Sequence, residues 1–514
     1  MTNNKVQFLK NVGSGWLAVF VTGLVGFLSL PLNLKYLGKE LYGISALAVS
    51  ALTLFSFLRM GMQPALLRFF SHAVAEKNHE EFKSLSSMAQ LLLGGAGFVG
   101  GIGFLCTYPW FVSIYEVPET VQWDLLILFL AIAFNFWSNL FLIPFSTIIQ
   151  AGNRFDVGNL RQCFASILRI VTLFIGYSFF APSLLILAVS TFIGTVYQLS
   201  SLILLAYKIH GNSVFFHRKS LRWNLMLPLF SFSAWNLIHE VFMGLSMQLP
   251  VLIIGKTLGL DMVAAFVPAI TLSTFFNSIM VQISVPLVPI ASKDYVENGG
   301  KNTGTLAIRM GEIIACFSCS IVVVFALYGG EIITIWLGEA FSWTRTIVTI
   351  MVIGLIFPSI QKSNTRLALG GNASFVPPAL SAVAVTVVIA LGTLLGTVYG
   401  AWSLLEVAVF IAIVRLIRNA FYLSYTYSIQ LGYHFMEYTW RVYVKPFLLM
   451  LPVIGLFYAI KWQLSFSWVF IPTLVVFALL AVMMYLSLCW LFVLHNHTKN
   501  SMLRSITGFL QRLK

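Results

Sequence analysis

Ser233, Asn236, Glu240, Gly244 and Gln248 recur at helical spacing, so they share one face of an otherwise apolar segment. His239 stands beside them. A carboxylate in hydrocarbon costs about 2.5–3.5 kcal/mol on insertion scales. Glu240 must therefore be neutral, paired or facing water. One reading makes His239 and Glu240 a proton- or ion-coupling pair, with Asn236 and Gln248 as substrate hydrogen-bonders. The other makes the stripe a set of interhelical hydrogen bonds. Arg169 is a second intramembrane charge. In a wet cavity a guanidinium binds a phosphate or carboxylate through two parallel hydrogen bonds. Arg59, Arg68, Lys362, Arg366, Arg415 and Arg418 stand near segment ends, with Lys362 and Arg366 on one face, as are Arg415 and Arg418. Each serves as an orientation anchor, or several together form a basic vestibule for an anionic headgroup. The candidate substrate cavity comprises Arg59, Arg68, Arg169, Asn236, Gln248, Lys362 and Arg366. Glu406 reads as an acid well inside a span that pairs across the bundle.

The elements that carry these residues must be membrane helices. Of 514 residues, 59% are hydrophobic and 9% charged. No soluble core holds that much apolar surface. A bilayer crossing takes about 20 apolar residues, and such runs recur almost to the end of the chain. The pattern predicts about fourteen spans. Among them are Val12–Leu34, Tyr42–Met62, Leu227–Ile254, Ala401–Tyr422, Pro446–Ile460 and Trp468–Leu494. The first is expected to remain as an anchor, because its apolar run is too long for a signal-peptide core. Alternating the loops puts 25 of the 31 basic residues on one side and five on the other, with Arg169 inside a span. That bias predicts both termini in the cytoplasm. The tail 501–514 reads as an amphipathic helix on the anionic inner surface.

The chain also repeats. Lys35-Tyr36-Leu37-Gly38-Lys39-Glu40 ends the first span, and Lys256-Thr257-Leu258-Gly259-Leu260-Asp261 ends the seventh. Each spells K-x-L-G-x-acid. Pro64 to Ser71 finds an echo in Pro286 to Ser292 at nearly the same offset. A unit of six spans, duplicated, enters the membrane twice from the same side, as in transporters with a site between halves. The expected fold is thus all-α: a polytopic membrane protein with two six-helix lobes related by a parallel repeat, plus a C-terminal helix pair. The boundaries are 1–222, 223–430 and 431–514. The first span carries its own polar stripe, Thr22, Gly26, Ser29 and Asn33. Pro31 and Pro250 lie near corresponding ends of the two partner helices, where they suit either a gate or a static kink.

Other signals are excluded by context. Gly95-Ala96-Gly97-Phe98-Val99-Gly100 matches a dinucleotide fingerprint in letters but follows no strand. Gly97 and Gly101 instead make a small face for close helix packing. Cys316 and Cys319 form C-x-x-C without a second pair, so all five cysteines read as helix residues rather than metal or redox ligands. The net charge of +14 is spread over many short loops, which argues against nucleic acid. There is no H-E-x-x-H, P-loop or G-x-S-x-G, and the longest outer loop runs only from Tyr108 to Asp124. No cofactor or metal is expected. Movement of a substrate fits better than chemistry upon it.

Several segments resemble a known family. They are Lys10-Asn11, Leu34 through Gly43, Gln63-Pro64-Ala65-Leu66-Leu67-Arg68-Phe69, and Ile335-Trp336-Leu337-Gly338-Glu339. Together they resemble the polysaccharide biosynthesis proteins, the O-antigen flippase type of the multidrug/oligosaccharidyl-lipid/polysaccharide exporter superfamily. The resemblance implies two six-helix lobes around a cationic cavity. It implies translocation of a polyprenyl-pyrophosphate-linked oligosaccharide across the bacterial inner membrane. Membrane lipids, a polysaccharide polymerase and glycosyltransferases are the implied partners. The family often has an acid where Arg59 stands, and a charge near Met247-Gln248 rather than at His239-Glu240. A cation-coupled multidrug exporter of the same superfamily and a membrane-embedded glycan-processing enzyme are the rival readings.

Overall fold

The computed structural model describes residues 2–55, 66, 69–70, 73, 78–152, 154–221, 234–284, 287–370, 374–463, 471–494 and 499. Among the described residues there are helices and connecting turns but no strand. This is the solution that hydrocarbon demands, because a helix satisfies its own backbone groups without water. Large apolar side chains stay exposed, among them Val99 (68%), Phe179 (79%) and Tyr399 (83%). A surface of that kind is covered by lipid, not water.

The first helix, α1 (Thr2–Thr53), is too long for one crossing. As a single rod it would run about 75–80 Å, more than twice the hydrocarbon thickness of about 30 Å. Gly38, at φ 75° and ψ 177°, breaks it into two. The second copy of the repeat motif turns at its own glycine: Gly259, at φ 96°, separates α7 (Ala234–Thr257) from α8 (Leu260–Ser284). Only glycine adopts that left-handed region without steric cost. Pro31 and Pro250 both lie inside helices, as their partner positions require.

Between these come α2 (His79–Cys106), α3 (Tyr108–Ile114), α4 (Glu119–Ala151), α5 (Phe155–Phe179) and α6 (Leu184–His210). They follow in the second half as α9 (Leu287–Asn298), α10 (Thr303–Leu337), α11 (Arg345–Gly370), α12 (Val376–Val398), α13 (Leu404–Leu416), α14 (Ser424–Leu431), α15 (Phe435–Tyr438), α16 (Lys445–Gln463) and α17 (Ile471–Phe492). Twelve helices among the described residues are long and apolar enough to cross a membrane. The expected second span continues α1 past Gly38 and runs into residues outside the described set. The expected twelfth begins as α13 and ends in a π-helical stretch, Ile417–Leu423, that leads into α14. The tail 501–514 and most of the 64–71 echo also lie outside the described residues.

The chain groups into two compact units, Met1–Val267 with Ala382–Ala390, and Pro268–Ser381 with Leu391–Lys514. In the first, α2 packs on α4 through its glycines. A Cβ on Gly97 would lie 3.1 Å from Leu140 Cβ and 3.3 Å from Trp137 Cα. The G-x-G-x-x-G letters are thus a packing face. Phe82, Leu85, Ala89 and Leu93 of α2 bury against Phe136, Leu140 and Ile143 of α4.

In the second unit the core is partly polar. A π turn frees carbonyls from the usual ladder. The carbonyl of Asn419 accepts from Gln361 Nε2 (2.8 Å), Ser424 Oγ (3.1 Å) and Tyr443 Oη (3.4 Å). Asn364 Nδ2 shares its two hydrogens among Gln361 Oε1, Tyr433 Oη and Tyr438 Oη, at 2.9–3.1 Å. Glu406 corrects an expectation. It is exposed at the start of α13, where it and Ser403 form a capping box, rather than lying deep in a span. Arg415 and Arg418 are buried, not splayed to headgroups; Arg418 Nε donates to Ser381 Oγ at 3.1 Å.

Candidate substrate site

The first unit holds a polar chamber of about 220 Å³ between α4, α5 and α6. Its construction begins at the chain turn before α5. The backbone N–H of Asp156 is one of the orphan donors of a helix start, and Asn11 Oδ1 of α1 accepts it at 3.2 Å. Ser14 Oγ accepts from Asn159 Nδ2 at 3.0 Å and donates to the Asn11 carbonyl at 3.0 Å. Two polar residues at the foot of α1 therefore fix the entry of α5.

From that entry, Phe155, Asn159, Gln162, Ser166 and Arg169 recur on one face of α5. Phe155, Asn159 and Gln162 line the chamber, with Asn139, Ser146 and Gln150 from α4 and Gln198 from α6. Leu142, Ile143, Ile149 and Leu202 supply apolar wall. Among the described residues no charged side chain lines it. Arg169 lies two turns beyond Gln162, about 10 Å along the helix. Its stem rests on α6: a Cβ on Gly194 would sit 3.3 Å from Arg169 Cβ. Its side chain is exposed rather than buried in packing. Gln198 follows Gly194 by one turn, so the arginine and the chamber flank the same stretch of α6.

Gln248 occupies a different place. Its Oε1 accepts from Ser50 Oγ at 2.9 Å, joining α7 to the second rod of α1. The same seam is tight elsewhere. A Cβ on Gly43 would lie 2.6 Å from the Leu260 carbonyl oxygen. Tyr115 Oη donates to the Leu252 carbonyl at 3.1 Å, and Lys256 Nζ to that of Ile114 at 2.9 Å. Burial pushes the Tyr115 phenol up to about 12, so it remains a donor at neutral pH. Gln248 thus closes a seam instead of lining the chamber. The first-span stripe is spent in similar fashion. Asn33 Oδ1 accepts from Tyr177 Oη at 3.0 Å, while Thr22 and Ser29 donate to carbonyls of their own helix.

His239 is buried and Glu240 half-buried, one after the other on α7; Asn236 falls in the first turn of that helix. Lys362 and Arg366 are half-buried on α11 in the second unit, beside Gln361 and Asn364. Arg59 and Arg68 lie outside the described residues. Among the described residues no three His, Cys, Asp or Glu side chains gather as a metal site. The chamber amides were not singled out from sequence. The signal was present in the α5 stripe, but Gln150 and Gln198 come from other helices and share no spacing with it.

The comparisons agree with this architecture. The family described as "Polysaccharide biosynthesis protein" matches residues 8–293, and the chain belongs to it. A curated relative, the uncharacterized membrane protein EpsK of Bacillus subtilis (strain 168), is 21% identical over 371 residues, covering 68% of this chain and 70% of its own. The lipid II flippase MurJ in an inward closed conformation superposes with a TM-score of 0.64 at 15% identity, over 92% of this chain and 98% of that one. A mutant of the Vibrio cholerae MATE transporter VcmN gives 0.62 at 14% identity, over 84% and 98%. An inward-facing multidrug resistance MATE transporter of the MOP superfamily gives 0.61 at 13%, over 83% and 96%. At such identities the likeness is one of fold. The chain is a multi-pass membrane protein of the polysaccharide biosynthesis family, and it shares its fold with the MurJ and MATE structures.

Proposed function

We propose that this protein is a flippase for a polyprenyl-pyrophosphate-linked oligosaccharide, working by alternating access in the bacterial inner membrane. It would serve O-antigen, capsule or exopolysaccharide synthesis, and it moves its cargo without altering it covalently. The observation that carries this reading is Arg169: an accessible guanidinium on a membrane helix of a polysaccharide biosynthesis protein. A charge there is expensive to keep, and a diphosphate is the group that repays it. With the orientation that the loop charges favour, the chamber lies toward the cytoplasm, where such lipids are assembled. The seam at Gly43, Ser50 and Gln248 then lies toward the outer face, closed. An inside-negative potential favours outward movement of an anion by about 2.3 kcal/mol per charge per 100 mV. His239 and Glu240 would reset the empty carrier by taking up a proton.

The test is Arg169→Ala at matched expression in cells that depend on this chain for surface glycan. Surface glycan should fall about tenfold or more, the cost of losing one charge-assisted contact. Unchanged output would remove Arg169 from the site. For coupling, Glu240→Gln should flatten the pH dependence of transport; a profile identical to wild type would exclude Glu240 as the proton carrier.

A further inference from the structure

We infer that the chamber between α4, α5 and α6 is a subsite for one neutral sugar of the cargo, and that it sets which glycans the protein accepts. This rests on the flippase reading and adds to it a specificity that Arg169 cannot supply. The argument is one of hydrogen-bond inventory. Each side-chain amide offers two donors and two acceptor lone pairs. Gln150, Gln162 and Gln198 give no side-chain hydrogen bond to any described residue, though all three face the chamber. Asn159 spends one donor on Ser14, and Asn139 spends its Nδ2 on Asn135. Their side-chain oxygens accept from no described residue.

A wall that both donates and accepts, without charge, complements hydroxyl and acetamido groups, which do the same. It does not complement a phosphate, which only accepts, or a uronic acid. A carboxylate there would lose water with no cation among the described lining residues to replace it, and a buried unpaired charge is strongly disfavoured. Phe155 and the leucine and isoleucine walls supply the apolar surface that ligand pockets combine with a few polar groups. The volume, about 220 Å³, is below the roughly 300–1,000 Å³ of drug-sized sites. It suits a single ring rather than an oligosaccharide. The placement also fits. Arg169 stands about 10 Å away along α5, so a diphosphate held there leaves a nearby sugar at the amides.

The experiment uses the full chain in proteoliposomes and three probes. These are polyprenyl diphosphate bearing N-acetylglucosamine, the same lipid bearing glucuronic acid, and the bare polyprenyl diphosphate. Wild type should move the neutral-sugar probe about tenfold faster than either other, the worth of one or two net hydrogen bonds. The double variant Gln162→Ala/Gln198→Ala should collapse that ratio toward one. The single variant Gln198→Ser should reduce it about threefold, and it decides the matter should the double variant not fold. If wild type moves all three probes at equal rates, the subsite is wrong while the flippase reading stands. An unaltered ratio in the variants says the same. If wild type moves none of the three, the flippase reading itself fails and takes the subsite with it.

Discussion

Two sets of amides in this molecule have opposite fates. In the second unit, Gln361 and Asn364 are buried against three tyrosines, Tyr433, Tyr438 and Tyr443, and a π-helical turn. Gln361 Nε2 lies within 2.9 Å of the Asn419 carbonyl, Ser424 Oγ and Tyr443 Oη, and its two hydrogens are shared among the three. In the first unit, Gln150, Gln162 and Gln198 face a chamber and hold nothing from the described protein. The residue type is the same, but the energetic role is not. A buried amide that is spent on backbone and phenols stiffens a joint between helices. An amide left with its capacity intact in an accessible space is available to a ligand. Polar residues in membrane helices are therefore not one signal but two, and hydrogen-bond inventory separates them.

That contrast can be broken by substitution. The largest effect belongs to Gln361→Ala. It strands buried partners, and each such group costs about 1–3 kcal/mol. Unfolding in detergent should shift by about 3 kcal/mol; a loss below about 0.5 kcal/mol would show that the network is not structural. Tyr177→Phe is a smaller test, since it removes the single hydrogen bond to Asn33, and about 1 kcal/mol is expected in the same assay. Gln150→Ala should be smallest, within about 0.5 kcal/mol of wild type, because no side-chain partner among the described residues is lost. A large destabilisation there would place the chamber amides in the same class as Gln361.

A pH series sharpens the comparison outside the membrane. Asp294 of α9 accepts from Asn302, Asn298 and Thr303, and these hydrogen bonds hold its carboxyl below the usual carboxylate range. The folded form thus binds its proton less readily than the unfolded form. The stabilisation is complete above the unfolded carboxyl range and is lost as pH falls through the lowered folded value. Thermal stability should drop on acidification in wild type, and Asp294→Asn should remove that component of the slope. An unchanged slope would dismiss Asp294 as its source.

Much of this fold is legible in the sequence, for physical reasons. Hydrocarbon enforces long apolar helices, so the spans follow from composition. The K-x-L-G-x-acid repeat marks two turns because Gly38 and Gly259 both need positive φ. Gly97 and Gly101 reveal a packing face because α4 closes on both, tightly at Gly97, where a Cβ would meet Leu140 at 3.1 Å, and at ordinary contact distance at Gly101. Other features are settled by tertiary partners. Gln248 reads either as a substrate hydrogen-bonder or as an interhelical one, and only Ser50 beside it supplies the interhelical partner. Glu406 reads as an intramembrane acid until the helix is seen to start two residues earlier. The π turns at 417–423 and 439–444 leave no pattern of their own, and the first of them takes up the last turns of an expected span. The chamber draws its amides from three helices, so no single stretch of sequence displays it. Arg169 was visible from sequence as an isolated charge, whereas its companions Asn139, Gln150, Asn159, Gln162 and Gln198 were not.

The most direct measurement is translocation itself. The purified chain is reconstituted into liposomes containing a polyprenyl-diphosphate oligosaccharide in the inner leaflet, and the sugar reaching the outside is read with a lectin. The account predicts glycan exposure above the protein-free level, abolished or sharply reduced by Arg169→Ala. Exposure that stays at the protein-free level, in vesicles that instead transport cationic dyes, would contradict it.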